Sequence, residues 1–342
     1  MGRGTPDARR PRAHIILKGR NVKVGVVGAG LFGRKHAMAL RGLENVELVG
    51  VVDIDASRAA AVAREAGTEA FDSLEELLRT GRPDLVTIAT PEPHHRQPVV
   101  TALAAGCHVF VEKPLATDVD DAIEMVAAAK TSNRHLVVGH VLRFDESHVQ
   151  LVQRVREGEL GEVRYIYARR NLPASMLQRY NHTHPAWTTL PHDVDLLRWL
   201  LGRAPDRVHG HRTAAAGDAL IVGVLDYGDA LAVVETCWML PESSASPDSL
   251  ALQVVGTAGT ASLVAPGSDL RIATAPGLDA PDTRYWPESH QQVRGALREE
   301  LAYVVRCIHE GSVPDRLDPN DAIDAVRTVT RILASASEGK PT

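Results

Sequence analysis

The sequence predicts an α/β fold, in which an N-terminal doubly wound parallel sheet is followed by an α/β domain with an open, mostly antiparallel sheet. Strand-like and helix-like segments alternate about six times between residues 22 and 139, as in sheets whose crossovers are helices. From residue 143 onward, successive strand-like segments are joined by short turns, such as the one at 227–229.

The second half of the chain shows a different order of elements from the first. Helices are predicted at about 146–157, 191–201, 291–309 and 320–335. Strands are predicted at about 163–171, 207–213, 219–227, 231–238, 250–255 and 260–264. A sheet built from such strands commonly has one covered face and one open face.

The first half is organised around residues 22–36, which read as a β-branched strand, a glycine turn and the start of a helix. Gly28 permits the tight turn, Gly30 lets the backbone approach a pyrophosphate, and Gly33 lets the helix lie close to the strand. The helix start adds unpaired N–H groups and a positive dipole end. The stretch therefore predicts a dinucleotide site in a Rossmann domain, and the alternative is a purely structural turn.

An acidic residue favours NAD over NADP. The strand at 46–52 ends in Asp53, about 20 residues after the glycines, where a carboxylate accepts hydrogen bonds from the adenine ribose. A carboxylate there repels a 2′-phosphate, and the next residues are Ile54 and Asp55 rather than arginine. Arg58 is the nearby residue that could reach a phosphate, so NADP is the less favoured cofactor.

Composition narrows the classes of function. The chain has 44% hydrophobic and 24% charged residues, as soluble globular proteins do, and its net charge of -5 argues against binding nucleic acid. No apolar run approaches the roughly 20 residues of a membrane span. The 3 cysteines lie far apart, which fits a reducing cytoplasm and predicts neither a disulfide framework nor a zinc site. We therefore expect a cytoplasmic protein without a nucleic-acid or membrane partner.

Polar residues follow the predicted strand at 84–90. In doubly wound sheets, ligands bind at the carboxyl ends of the strands, so Thr90, Pro91 and His94 are expected beside the cofactor. The residues expected to contact the cofactor are Gly28, Gly30, Leu31, Phe32, Gly33, Asp53, Thr90, Pro91, His94, Glu112 and Lys113.

Lys113 follows the next predicted strand, at 107–111, and lies between Glu112 and Pro114. A lysine at a strand end can stabilise negative charge on a substrate oxygen and can transfer a proton. The alternative is a solvated surface charge, which is the usual state of a lysine in a loop. Its position at the ligand-binding edge favours the functional interpretation.

A second candidate constellation lies where Pro191 is expected to begin a helix that ends at Leu201. His192 and Asp195 then share one face of that helix near its start. A histidine oriented by a carboxylate is a natural general base for a hydroxyl proton, whereas the alternative is an ordinary histidine at a helix start. The segment 180–184 is either a substrate-covering loop or an exposed one, and the histidine spacing predicts no metal site.

These features together resemble the Gfo/Idh/MocA oxidoreductase family. The resemblance rests on the glycine fingerprint, Asp53, the stretches 88–94 and 138–144, Glu112-Lys113-Pro114 and His192-x-x-Asp195. It covers nearly the whole chain, and the middle part is most similar to inositol 2-dehydrogenases and related sugar dehydrogenases. The resemblance implies hydride transfer between NAD(P) and a secondary alcohol or ketone of a polyol or sugar. It also implies a homodimer or homotetramer formed through the open sheet of the C-terminal domain.

The resemblance also assigns roles to individual residues. Lys113 matches the catalytic lysine of the family, and His192 matches its histidine base. Asn171 falls where inositol dehydrogenases contact substrate hydroxyls, and Arg143, Thr188, Lys113 and His192 complete the expected substrate site.

One departure from the family concerns the environment of the histidine. The family often has an Asp four residues before it, where this chain has Thr188, and a Gly two residues before it, where this chain has Leu190. Thr188 can form a hydrogen bond but cannot carry a negative charge. Asp193 and Asp195 are the candidates for the missing carboxylate, and Thr188 and Asp195 are therefore expected to support catalysis.

The expected division of the chain follows from these assignments. Residues 1–20 form a disordered extension, 21–142 an NAD-binding Rossmann domain, and 143–342 a substrate-binding and oligomerisation domain. The last helix, about 320–335, is expected to pack back on the Rossmann domain. The expected function is an NAD-dependent dehydrogenase or ketoreductase for a cyclic polyol, sugar or sugar-like metabolite. The alternatives are an epimerase or glycosidase that oxidises its substrate transiently, and a dinucleotide-binding regulator without turnover.

Overall fold

The computed structural model describes residues 19–242, 249–265, 272–274, 277–279 and 281–340. Residues 1–18 of the expected N-terminal extension therefore lie outside the described residues. Among the helices that are described, none combines the length and the apolar character that a bilayer crossing requires.

The first half of the chain alternates strands with helices. Its strands are β1 Val22–Val27, β2 Val46–Val52, β3 Ala70–Phe71, β4 Leu85–Ile88, β5 His108–Glu112 and β6 Leu136–Gly139. Its helices are α1 Leu31–Arg41, α2 Ala56–Ala66, α3 Leu74–Glu76, α4 Arg96–Ala104 and α5 Val119–Ser132. Short helical turns at Leu77–Gly81, Glu92–His94 and Val141–Phe144 complete this half.

The six strands form one parallel sheet in the order β3-β2-β1-β4-β5-β6. All four residues of β4 are buried, as expected for a central strand that helices cover on both faces. The strand order reverses between β1 and β4, and a doubly wound sheet binds ligands at that point. The glycine turn after β1 lies there.

The second half forms a six-stranded mixed sheet with helices packed on one face. Its strands are β7 Val163–Pro173, β8 Arg207–His211, β9 Leu220–Asp226, β10 Leu231–Leu240, β11 Ser249–Gly256 and β12 Thr260–Ala265, in the order β12-β11-β7-β10-β9-β8. Only the pairing of β7 with β10 is parallel within this sheet. The predicted α/β fold with a mostly antiparallel second sheet is thus confirmed.

The remaining elements are helices and short hairpins. The helices are α6 Glu146–Arg156, α7 Met176–Arg179, α8 Pro185–Leu201, α9 Gly295–Glu310 and α10 Pro319–Glu338, with a helical turn at Gly217–Ala219. One hairpin pairs β13 Ile272–Thr274 with β14 Gly277–Asp279, and the other pairs β15 Glu288–Ser289 with β16 Gln292–Val293.

Burial alternates along β10, and the alternation distinguishes the two faces of the second sheet. Val234, Thr236 and Trp238 are buried, whereas Glu235 and Cys237 between them are only partly buried. Helices α8 and α10 contact this sheet. The period of two therefore places one set of β10 side chains in the core and the other set on the opposite face.

Helix α10 packs against both halves of the molecule. It contacts β8 and α8 of the second half and α5 of the first. Gly210 in β8 permits this close approach, because a Cβ atom there would lie 1.9 Å from the carbonyl oxygen of Ile332. The C-terminal helix therefore connects the two halves.

Helix α8 begins earlier than the sequence predicts. It starts at Pro185, where the side chain of His184 accepts a hydrogen bond from the amide of Ala186, and Pro191 lies inside it. Proline lacks an amide hydrogen, so it usually marks the first helical turn. Here residues 186–191 are all buried, and this packing outweighs the lost helical hydrogen bond.

Candidate active site

A cavity of about 750 Å³ lies between the carboxyl edge of the first sheet and the second domain. Its lining from the first domain includes Gly28, Gly30, Leu31, Phe32, Asp53, Thr90, Pro91, His94, Glu112 and Lys113. Its lining from the second domain includes Arg170, Leu172, Arg179, Tyr180, His182, Thr188 and His192. The cavity therefore brings together candidate residues that are far apart in the sequence.

The glycine turn has the geometry that a pyrophosphate requires. Gly28 has a φ of +92°, and a Cβ atom on Gly33 would lie 1.7 Å from the carbonyl oxygen of Gly28. A Cβ atom on Gly30, by contrast, would meet no heavy atom within 4 Å. No side chain caps the start of α1, so its N–H groups stay available to an anion. The residues present fit a dinucleotide.

Asp53 is anchored to the glycine turn. One carboxylate oxygen accepts a hydrogen bond from the amide of Ala29 at 2.6 Å, and the other accepts from the amide of Asp55 at 2.8 Å. Arg58 donates to Asp53 at 3.0 Å and also pairs with Asp55 at 3.2 Å. Two carboxylates therefore face one guanidinium here, an arrangement that opposes a 2′-phosphate.

Thr90, Pro91 and His94 line the cavity just beyond the end of β4. The neighbouring His95 is buried, and its ring nitrogens lie 2.9 Å from the carbonyl oxygens of Thr90 and Pro114. His95 therefore links the loops that follow β4 and β5. No sequence pattern indicates this role, because both partners are backbone carbonyl oxygens.

Glu112 and Lys113 adopt different orientations at the end of β5. The Glu112 carboxylate is buried and lies 2.9 Å from Nε2 of His36. The Lys113 ammonium donates a hydrogen bond to the Thr188 carbonyl oxygen at 3.0 Å, which connects β5 to α8. Burial lowers the pKa of Lys113, although the carboxylates of Glu112 and Glu92 oppose the shift. This lysine is therefore not a solvated surface charge.

His192 lines the cavity without a carboxylate partner. Its Nδ1 atom is buried and has no hydrogen-bond partner among the described residues. Burial lowers the pKa of His192 well below its ordinary value, and the positive charges of Lys113 and Arg170 lower it further. The imidazole is therefore neutral near pH 7. The hydroxyl oxygen of Thr188 is also buried and unpartnered among the described residues.

Neither candidate aspartate supports His192. The Asp193 carboxylate accepts hydrogen bonds from Nε of Arg170 at 2.9 and 3.0 Å. The Asp195 carboxylate accepts from Arg143 at 2.7 and 2.9 Å and lies 3.5 Å from Nδ1 of His140. The expectation that Asp195 orients His192 is wrong, because a buried arginine occupies its carboxylate.

The structure does not place Arg143 in the cavity, contrary to the expectation that it contacts substrate. Its guanidinium is buried and donates to Asp195, to Asp321 at 3.0 Å and to the carbonyl oxygen of Arg316 at 2.9 Å. Arg143 therefore ties the start of the second domain to α8 and to the segment before α10. The hydrogen bonds of Arg143 therefore hold parts of the fold together.

Asn171 also lies away from the cavity. Its side chain donates to Glu235 at 2.8 Å, and Tyr167 donates to the same carboxylate at 2.6 Å. Alternate residues of a strand face opposite sides, so Arg170 and Leu172 of β7 line the cavity while Asn171 faces the other side. The prediction that Asn171 contacts substrate is therefore wrong, because its neighbours in β7, Arg170 and Leu172, are the residues that line the cavity.

Sequence reasoning missed two further parts of the cavity wall. One is Arg170, which the alternation of β7 could have revealed, because Ile166, Ala168 and Arg170 are buried on one face. The other includes Tyr285 and Trp286.

Trp286 packs edge-on against Phe32, with ring centroids 5.2 Å apart. The Asp282 carboxylate holds this segment by accepting hydrogen bonds from the amides of Arg284, Tyr285 and Trp286. A loop of this kind carries no periodic pattern in the sequence. Across the described residues, no cluster of His, Cys, Asp and Glu side chains has the arrangement of a metal site.

Two family models match the chain. Residues 22–140 match the model described as an oxidoreductase family with an NAD-binding Rossmann fold, and residues 148–262 match the Gfo/Idh/MocA C-terminal domain. Inositol 2-dehydrogenase of Acidothermus cellulolyticus is 30% identical over 304 residues, which cover 86% of each chain. Inositol 2-dehydrogenase 3 of Saccharopolyspora erythraea is 35% identical over 182 residues, which are 53% of this chain and 54% of the relative.

Solved structures share the fold at lower identity. Myo-inositol 2-dehydrogenase from Lactobacillus plantarum superposes with a TM-score of 0.83 at 22% identity, over 94% of this chain and 99% of the other. Scyllo-inositol dehydrogenase from Lactobacillus casei, solved with NAD(H) and scyllo-inositol, gives a TM-score of 0.81 at 20% identity, over 94% of this chain and 99% of the other.

The fold and the glycine turn define a dinucleotide-binding α/β protein whose second domain lines the same cavity. The chain belongs to the Gfo/Idh/MocA family of oxidoreductases, and its Rossmann domain is of the NAD-binding type. The match spans only about half the length of several of its curated relatives, between 52% and 60%.

Two alanine substitutions separate the roles of the glycines. We expect Gly30→Ala to leave the thermal unfolding of the protein without cofactor unchanged, because the added methyl group has free space and φ is −71°. NAD affinity should fall about tenfold or more, equivalent to about 1.4 kcal/mol, because the methyl group blocks the approach of the pyrophosphate. Calorimetric titration with NAD measures this loss.

Gly33→Ala is the matched comparison. Here the added methyl group overlaps the Gly28 carbonyl, so we expect the free energy of unfolding without cofactor to fall by about 1–3 kcal/mol. Wild-type NAD affinity in Gly30→Ala would show that the pyrophosphate does not approach this turn.

Proposed function

We propose that the protein is an NAD-dependent oxidoreductase that transfers a hydride between nicotinamide and a secondary alcohol or ketone of a cyclic polyol, sugar or sugar-derived metabolite. One observation carries the proposal: Lys113 from the first domain and His192 from the second line the same cavity as the glycine turn. Several relatives are named inositol 2-dehydrogenases, which supports a cyclic polyol as substrate.

The first domain would hold the cofactor. The glycine turn and the start of α1 would bind the pyrophosphate, and Asp53 would accept a hydrogen bond from the adenine ribose. Thr90, Pro91 and His94 would border the nicotinamide end of the site. Bound NAD supplies the hydride acceptor for oxidation of the alcohol.

His192 and Lys113 would act on the substrate hydroxyl. The neutral imidazole of His192 can accept the hydroxyl proton, and its Nε2 is the available atom because Nδ1 is buried. The Lys113 ammonium already donates to the Thr188 carbonyl oxygen and retains further N–H donors for the developing alkoxide. Thr188 thus positions the lysine through its backbone rather than through a charge.

The decisive experiment measures NADH formation by absorbance with a panel of inositols, hexoses, amino sugars and nucleotide sugars. We expect at least one cyclic polyol or sugar to support turnover. Lys113→Ala should lower kcat by about 10²-fold, because it removes a contact to the charge that develops in the transition state. NAD affinity should be retained.

Lys130→Ala is the control for the lysine variant, because Lys130 is exposed in the last turn of α5. Unchanged kcat in Lys113→Ala would reject the catalytic role of the lysine. Product formation without free NADH would favour an epimerase or glycosidase that regenerates NAD. NAD binding without any turnover would favour a regulator.

The dependence of kcat/KM on pH should show the lowered pKa values of His192 and Lys113. The base form of His192 is needed, and its pKa is lowered, so activity should fall on acidification only below the ordinary histidine value of about 6.5. The charged form of Lys113 is needed, and its pKa is also lowered, so the alkaline loss should begin below the ordinary lysine value of about 10.4. The profile of kcat/KM against pH tests both limits.

In His192→Gln the acid limb should disappear from the residual activity, since glutamine does not titrate. If the acid limb of the wild-type enzyme is centred above pH 6.5, the pKa of His192 is not lowered by burial. That outcome would contradict the role given to His192.

We further propose that the protein forms a homodimer or homotetramer through the open face of the second sheet. Leu231 and Met239 at the ends of β10 are 41% and 53% exposed, and Val233 and Cys237 lie on the same face between them. Glu235 lies between Val233 and Cys237 on this face, and its carboxylate accepts hydrogen bonds from Tyr167 and Asn171. A sheet face with several exposed apolar side chains is a surface that a second copy can cover.

Substitution of Met239 by glutamate tests this surface. We expect Met239→Glu to reduce the molar mass measured by light scattering towards that of one chain, because burying an unpaired carboxylate is costly. Val313→Glu, at a residue that is 65% exposed outside the sheet, is the matched control. An unchanged mass in Met239→Glu would place any interface elsewhere.

A further inference from the structure

We infer that the substrate carries an anionic group, a carboxylate or a phosphate ester, and that Arg170 and Arg179 bind it. The inference rests on the proposed function and narrows the class of substrate from neutral polyols to acidic ones. It concerns the second domain, where both arginines line the cavity.

Asp193 fixes the side chain of Arg170 and leaves the terminal nitrogens of the guanidinium available to a ligand. Its side chain is 10% exposed, and its Nε atom donates to both oxygens of Asp193, whose side chain is 4% exposed. The two terminal nitrogens of Arg170 bond to no other residue that the structure describes, and neither is fully buried. Because Arg170 lines the cavity, these nitrogens are accessible from it.

This geometry suits an anion. A guanidinium fork donates two parallel hydrogen bonds to a carboxylate or a phosphate. Asp193 engages the Nε side only, so it orients the arginine and leaves the terminal nitrogens available. In Arg143, by contrast, both terminal nitrogens donate to protein groups, which are Asp195, Asp321 and the carbonyl oxygen of Arg316.

Arg179 supplies a second positive charge on the same side of the cavity. It lies in α7, is exposed, and stacks near the ring of Tyr180 at 5.9 Å. It pairs with no carboxylate in the part of the chain that the structure describes. Its long side chain can therefore turn towards a ligand at little cost in lost contacts.

The carboxylates that line the cavity, apart from Asp53 in the proposed cofactor site, are already engaged. Glu92 accepts from His182 at 3.0 Å, Glu112 lies 2.9 Å from His36, and Asp282 accepts three backbone amides. A neutral sugar presents hydroxyl groups that need acceptors as well as donors, whereas a carboxylate or phosphate needs donors only. His192, the proposed base, and the Thr188 hydroxyl can accept hydrogen bonds on this side of the cavity. The charged groups that this side adds are the guanidinium donors of Arg170 and Arg179, which favours the anion.

Matched pairs of substrates test the inference. NADH formation would be compared for glucose, glucuronate and glucose 6-phosphate, for galactose and galacturonate, and for myo-inositol and an inositol monophosphate. We expect kcat/KM for an anionic member to exceed that of its neutral partner by about tenfold or more, as charge-assisted hydrogen bonds allow. The uronates and the phosphates show which of the two anions the site accepts.

Variants at both arginines show whether they are responsible. Arg179→Gln should lower kcat/KM for the anionic substrate about tenfold through KM, because it removes a charge outside the reacting centre. Arg170→Lys keeps the charge but loses the fork, and we expect a loss of about tenfold or more with the same substrate. Both variants should lower kcat/KM for the anionic substrate more than for its neutral partner. The control is Arg64→Gln, at an exposed position in α2.

Thermal unfolding in the presence of NAD separates a folding defect from a binding defect. The wild-type transition temperature should rise with the anionic sugar and not with its neutral partner, and Arg170→Lys should lose this rise while remaining folded. NADH formed from neutral members only, with no effect of either variant, would overturn the inference and leave the proposed function intact. Protection by anionic sugars without any NADH would support the anion site and reject the proposed reaction.

Discussion

The hydrogen bond from the Lys113 ammonium to the Thr188 carbonyl oxygen joins two residues that line the cavity from different domains. Pro191 has no amide hydrogen, so the helical hydrogen bond to the carbonyl of Trp187 cannot form, and the lysine binds the next carbonyl along. A charged donor attached to a strand end of one domain thus has a fixed acceptor on a helix of the other. The relative position of Lys113 and His192 depends on this contact.

Helix α8 carries two aspartates close to His192, and an arginine pairs with each of them. Asp193 pairs with Arg170, Asp195 pairs with Arg143, and both aspartates are almost fully buried. A buried carboxylate needs a partner, and an arginine with several donors satisfies it better than one imidazole N–H does. His192, which directly precedes them, therefore has no carboxylate partner among the described residues, and the positive charges of Lys113 and Arg170 help to keep it neutral.

Local sequence signals predicted much of the fold and one side of the site. Strand ends and glycines predict that Gly30, Thr90 and Lys113 lie at one edge of the sheet, and all three line the cavity. Such positions follow from short-range patterns and from the direction of parallel strands. The insertion of β7 between β10 and β11 is set by long-range pairing, which no local pattern records. The errors at Arg143 and Asn171 have the same origin, since each side chain has a partner distant in the sequence.

The two domains contribute different kinds of contact to the cavity. The first supplies backbone N–H groups, Asp53 and Lys113, which in the proposed function bind the dinucleotide and the reacting oxygen. The second supplies Arg170 and Arg179, which lie on β7 and α7. Because Lys113 binds the backbone of Thr188, a change of side chain at that position alters the wall of the cavity without removing the acceptor for the lysine. If the proposed function holds, substrate choice can therefore change through the side chains of β7 and α7 while Lys113 and His192 stay in place.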